Sequence, residues 1–251
     1  MNTKKAIVRE PGKSYTNCVT SHPLGHTVDF SIAKEQHKRY CSTLSELGLE
    51  LIKLAPKDHL PDSCFVEDNA VVHGTKALIT RMAIESRRGE DEDVEELLQE
   101  HFSVKRATDP ATIEGGDVVH LPDKLVCGIT QRTNQQGVEQ LRSWMDITVS
   151  SITNLDIVHL KSYIKYLGKE TVITTADYKN HPLLKNLKLV IIPKEEYYSI
   201  NCLPVADTVI MSDKYSFAKK AVLDAGFDVV SLNMSEFEKC QASLTCLSIL
   251  F

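Results

Sequence analysis

No CxxC pair occurs among the seven cysteines of this sequence. The usual zinc-knuckle and dithiol-redox patterns are therefore missing, and an odd number excludes a fully paired disulfide framework. That usage points to a reducing compartment. No stretch approaches the ~18 apolar residues that a membrane span requires. The opening residues, MNTKKAIVREPG, hold two lysines but lack the apolar run of about 7–15 residues found in a secretory signal. The expectation is a cytoplasmic protein that contacts no membrane. Positive charge is also short: 29 lysines and arginines stand against 34 aspartates and glutamates, for a net charge of -5. A nucleic-acid binder would show a basic face instead. A Gly-rich phosphate loop is absent as well. What remains is an ordinary globular balance, 42% hydrophobic and 25% charged, at a length that a single domain can span.

The chain repeats one phrase: short strand, turn, second strand, helix, third strand. One copy runs from CFVEDNAVVHGTKALITR through the charged helix GEDEDVEELLQEHF to SVKRAT. The next runs from TIEGGDVVHLPDKLVCGIT through TNQQGVEQLRSWM to DITVSSI. A further copy reads DIVHLKSYIKYLGKETVITT, then a short helical HPLLKNL, then KLVIIP. The last reads INCLPVADTVIMS, YSFAKKAVLDAG, DVVSLN. The N-terminus supplies the first, with KAIVREP, IAKEQHKRYCSTLSELG and LELIKLA. Copies of roughly 35–60 residues that cannot bury their own apolar faces predict circular or stacked repetition. A doubly wound open sheet would use similar units, but each copy contains a hairpin. The expected fold is therefore α/β, with ββαβ-type modules closed about a pseudo-fivefold axis.

Chemistry-bearing residues recur where the first strand of each copy begins. They are Asp62, Glu67 and Asp68; Glu114 and Asp117; His159; Asn201 with Cys202; and Cys246. Radial modules would bring them to one central hole. Several carboxylates there suit a cation, and a guanidinium offers planar N–H donors that match carboxylates in bidentate pairs. A cysteine with a histidine is an arrangement for covalent catalysis, in which a thiolate attacks and an imidazole carries protons. A docked cation would itself help to hold the thiolate. The acidic run at 89–100 reads as a solvated helix face. His22 and His26 lack a third ligand at suitable spacing, so no metal is expected.

The ordered motifs PDSCFVED, ITRMAIESRRGE, IEGGDV, QRTNQQG, HLKS and LTCLSILF resemble the dimethylarginine dimethylaminohydrolase family. That family belongs to the guanidine-modifying, or pentein, superfamily of five-bladed α/β propellers, and the resemblance covers nearly the whole chain. Arginine deiminases of the same superfamily share pieces such as EGGD but carry an inserted helical domain, for which 251 residues leave no room.

The resemblance implies one catalytic domain over 1–251. It also implies hydrolysis of N-omega-methylated arginine to citrulline plus dimethylamine or methylamine, through a covalent thiouronium and without a cofactor. Cys246 matches the nucleophile, His159 the general acid/base and Glu114 the acid beside it. Asp62, Glu67 and Asp68, with Phe65 among them, match the guanidinium-binding segment. Arg87 and Arg132 match arginines that hold the substrate's α-carboxylate, with Arg88 an alternative to Arg87. Leu24 matches a residue of a flexible lid.

Gln241 stands where the family has an aspartate in a glycine-rich turn. It would meet the substrate's amino group through its backbone carbonyl, and this departure bears on substrate preference. A small molecule is the expected partner, and a homodimer is left open. Two rival readings are a deiminase-like hydrolase of free arginine or a related guanidine, and a non-catalytic binder of cationic amino acids on the same fold.

Overall fold

The computed structural model describes residues 4–251. Five three-stranded sheets follow one another around the molecule, as the repeated phrase predicts. One holds β1 (Lys5–Arg9) and β2 (Glu50–Leu54), joined through α1 (Phe30–Glu46). The second contains β3 (Ala70–His73), β4 (Lys76–Ile79) and β5 (Ser103–Arg106), with α2 (Glu92–Gln99) between the last two. The third is β6 (Val118–His120), β7 (Lys124–Ile129), α3 (Gln135–Trp144) and β8 (Thr148–Thr153). The fourth comprises β9 (Ile164–Gly168), β10 (Thr171–Thr175) and β11 (Lys188–Ile192). The fifth comprises β12 (Leu203–Val205), β13 (Thr208–Ser212), α4 (Ser216–Asp224) and β14 (Asp228–Leu232). In every sheet the central strand pairs antiparallel with one neighbour and parallel with the other. In the second to fifth sheets a hairpin supplies the first pairing, and in all five a crossover supplies the second.

The ring closes through a strand not foreseen as part of the first module. After the short α5 (Ser235–Lys239), β15 (Ser248–Leu250) pairs antiparallel with β1, matching Ala6 to Leu250 and Val8 to Ser248. The first sheet therefore draws strands from both ends of the chain.

Local sequence explains the elements. Asn134 Oδ1 accepts from Gly137 N at 2.9 Å and caps α3, and Asp29 caps α1 through Ile32 N at 3.0 Å. Gly74 takes φ +58° in the turn between β3 and β4, a conformation that glycine adopts without a steric cost. The inward stripe of α3, Val138 and Leu141, shares a fully buried cluster with Leu125 and Val149. Each such side chain contributes about 1.5–3 kcal/mol on leaving water.

The short helical segment HPLLKNL in the crossover of the fourth sheet forms a 3-10 helix, Pro182–Leu184. One expectation is corrected. The cysteines do not all stand as the thiols that a reducing compartment implies, since Cys18 and Cys240 are joined by a disulfide. Among the described residues no helix is long and apolar enough to cross a membrane.

Candidate active site

A 3-10 turn precedes the first strand of each sheet, and these turns present the chemistry. Asp68 lies within Val66–Asn69 before β3. Glu114 caps Gly115–Asp117 before β6. His159 caps Leu160–Ser162 before β9, Asn201 ends Lys194–Ile200 before β12, and Cys246 lies within Leu244–Leu247 before β15. The turns come close enough to need glycine. A Cβ on Gly115 would fall 2.0 Å from the Glu67 carbonyl oxygen. One on Gly116 would fall 2.8 Å from Asp68 Oδ1 and from the His159 ring. Gly116→Ala is therefore expected to displace the imidazole and to lower kcat by about 10²-fold, since a shift near 1 Å can cost that much. Steady-state kinetics beside a thermal unfolding scan would separate misplacement from unfolding.

A cavity of about 530 Å³ opens between these turns, and its wall includes Cys246, His159, Asp62, Asp68, Phe65, Arg87, Arg132, Asn201 and Gln241. His159 Nε2 donates to Glu114 Oε2 at 2.8 Å and lies 3.8 Å from Asp68 Oδ1. Burial by itself would strip the imidazolium of its proton. The charge of Asp68, the bond to Glu114 and the charge of Asp117 outweigh burial and hold the pKa at about 9. Glu114 is fully buried. Burial pushes its carboxyl up, but His159 together with Arg87 and Arg132 brings it well below the ordinary range. Burial, then the charge of Asp68, raises the Cys246 thiol to about 11. At neutral pH these shifts correspond to an imidazolium, a carboxylate and a neutral thiol.

The structure sorts the expected residues. Asp62 Oδ1 and Oδ2 both accept from Val19 N at 3.2 Å, linking the wall to the segment before α1. Arg87, not Arg88, lies on the wall. Its Nη1 donates to Asp68 Oδ2 at 3.0 Å, its Nε and Nη2 clasp Glu90 at 3.1 and 2.9 Å, and Glu114 is 3.6 Å away. The cation that relieves the carboxylate cluster is therefore the protein's own. Arg87 is engaged from several sides, whereas Arg132 forms no ion pair among the described residues and its Nε is buried without a partner. Arg88 projects outward and pairs weakly with Glu85.

Glu67 is not on the cavity wall. It turns behind the wall and pairs with Lys161. Leu24 is also off the wall and half exposed; Val19, Ser21 and His22 line it instead. The segment carrying Leu24 is fastened and not free. Cys18 is bonded to Cys240, Thr20 Oγ1 donates to Lys239 O at 2.9 Å, and Ser21 N donates to Gln241 Oε1 at 2.8 Å. Gln241 holds this contact from a left-handed backbone, φ +55°. It takes the place of a glycine by conformation while adding a side-chain tie. Cys64 and Cys202 are buried away from the wall. Asp117 accepts from Thr130 Oγ1, Thr133 Oγ1 and Leu160 N, and so braces the loop after His159.

Asp68, Glu114 and His159 present ligand atoms within 4.8 Å of one another, a spacing that would suit a metal. Arg87 and the His159 proton already hold that position in charge. Tyr198, on the wall, lay outside the expected set, and Asn201, also on the wall, was expected to converge there but was given no role. Asn201 was placed there by its register before its strand, which it shares with the other converging residues.

Residues 19–200 match the family model for eukaryotic N,N dimethylarginine dimethylhydrolase. The chain is 32% identical over 253 residues to N(G),N(G)-dimethylarginine dimethylaminohydrolase of Pseudomonas aeruginosa, covering 99% of both chains. It is 34% identical over 253 residues to the enzyme of that name from Streptomyces coelicolor, covering 99% of this chain and 97% of that one. A solved structure of a mutant of the Pseudomonas aeruginosa enzyme complexed with citrulline superposes with a TM-score of 0.96 at 31% identity, covering 100% of each chain.

Proposed function

The chain belongs to the dimethylarginine dimethylaminohydrolase family, and from that premise we propose that it hydrolyses N-omega-methylated arginine to citrulline and dimethylamine or methylamine, by way of a thiouronium on Cys246. The observation that carries the reading is one wall bearing Cys246, the carboxyl groups of Asp62 and Asp68, and His159 held 2.8 Å from Glu114. Asp68 and Asp62 face the guanidinium. The Arg132 guanidinium, whose Nε is buried without a partner among the described residues, takes the α-carboxylate. The reaction is housed in one domain spanning 1–251.

The charge of the entering substrate lowers the Cys246 pKa, and the thiol proton leaves to water through the open cavity. Sγ then bonds to the guanidinium carbon. As the bond from that carbon to the methylated nitrogen breaks, the His159 imidazolium donates its proton to the departing amine. His159 is now neutral and takes a proton from a water molecule, whose oxygen attacks the same carbon. The carbon–sulfur bond breaks, and citrulline and the thiolate are released. Glu114 holds the imidazole and stabilises its charged form in both halves.

Acid-quenching the protein during turnover of dimethylarginine, with peptide mass mapping and analysis of the released amine, tests the reading. The expected result is an adduct on the Cys246 peptide, with dimethylamine and citrulline in equal amounts. Ammonia from arginine with no dimethylamine from dimethylarginine would move the assignment to a deiminase. Binding without any product would make the protein a binder.

A further inference from the structure

Asn201 occupies the fifth converging position, is 6% exposed, and lies on the cavity wall. Its Nδ2 is 3.4 Å from Cys246 Sγ. Its Oδ1 is buried without a donor, a state uncommon in folded proteins, beside the space where a guanidinium rich in N–H groups would enter. Of the other groups around the sulfur, the backbone of Ser243 favours its charged form, ahead of Asn201, which among the described residues is the one side chain hydrogen-bonded to it. Asp68 and Glu67, from the turn before β3, oppose it. The phenols of Tyr15, Tyr40 and Tyr198 are kept neutral by burial. The Lys165 ammonium, from β9, donates to Thr245 Oγ1 at 3.0 Å, and His159 Nε2 is turned to Glu114.

We propose that Asn201 is a catalytic residue, whose amide N–H stabilises the Cys246 thiolate and whose carbonyl oxygen accepts an N–H of the bound guanidinium. The proposal rests on the covalent-thiol reading above. Asn201 takes no proton itself. It presents the positive end of a fixed dipole to the sulfur when the thiol proton departs, with no reorganisation needed at the moment of attack. During release of citrulline the same N–H receives the thiolate again.

The test is the pH dependence of Cys246 alkylation by iodoacetamide without substrate, followed by peptide mapping, in the wild type, Asn201→Ala and Asn201→Asp. Asn201→Ala is expected to raise the midpoint by about one pH unit, so that alkylation at pH 8 slows about tenfold. Asn201→Asp places a carboxylate of nearly the same shape at the sulfur and raises the midpoint further. It also keeps the side-chain volume, so it remains decisive if thermal scans show the alanine variant to be unfolded. On dimethylarginine, kcat is expected to fall about 10²-fold in the alanine variant.

A merely structural role would not produce that graded order. Midpoints unmoved in the folded variants, or an aspartate midpoint no higher than the wild type, would overturn the proposal whatever happens to kcat. If the wild type fails to turn over dimethylarginine while the midpoints rise in the stated order, the substrate assignment falls and the role of Asn201 at the sulfur stands.

Discussion

Replacing Cys246 with alanine is expected to reduce amine release from dimethylarginine on the order of 10⁴-fold or more, while binding of the substrate survives. The effect is this large because a nucleophile has no substitute in a site where the other groups only carry protons or hold charge. Binding survives because Asp62, Asp68 and Arg132 reach the cavity from other sheets. Removing the sulfur also removes none of the bonds that fix Glu114 and His159. Amine release and isothermal calorimetry on the same preparation check both halves. Loss of binding in step with turnover would mean that Cys246 shapes the pocket more than it reacts, and retained turnover would dismiss the nucleophile.

The second large effect is expected from Glu114→Gln, with kcat down about 10³-fold and KM little changed. An amide in place of the carboxylate keeps the size of the side chain but removes the negative charge hydrogen-bonded to the imidazole, and losses of this order follow when a histidine loses its orienting acid. The pH dependence carries the distinguishing sign. His159 is held at about 9 by Asp68, Glu114 and Asp117 against burial. Without the Glu114 charge its pKa falls, so the alkaline limb of kcat/KM moves to lower pH. Stability follows the same linkage. A histidine whose folded pKa is raised adds stability fully present below its unfolded value of about 6.5 and lost as pH climbs through about 9. The decline of the unfolding temperature across that window should therefore be shallower in Glu114→Gln. A variant with unchanged limbs and a raised KM would make Glu114 a binding residue instead.

The modules were legible because four of the five repeat a hairpin turn and four an amphipathic helix beside their strands, and periodicity is a local property. The pairing of β15 with β1 was not, since a three-residue apolar strand does not say which distant edge it will join. The same limit applied to the site. Adjacent residues of a 3-10 turn point in different directions, so the string PDSCFVED could not reveal that Asp68 faces the cavity while Glu67 turns back to Lys161. Arg87 and Arg88 were separated only by Asp68, Glu90 and Glu114, which bury one and leave the other outside. The bond between Cys18 and Cys240 spans 222 positions, beyond any spacing rule. Cys246, His159 and Glu114 were found as a group because each stands at the same phase of its repeat.

That shared phase has a consequence for how activity arises. The sulfur is the one reacting group borne on the sheet shared by both ends of the chain. The four other sheets can form from contiguous segments and still lack an attacking atom. The pairing of residues 248–250 with residues 6–8 holds the turn that sets Cys246 beside Asn201. Substitutions that weaken this joint are therefore expected to lower activity at temperatures where the other sheets are still folded.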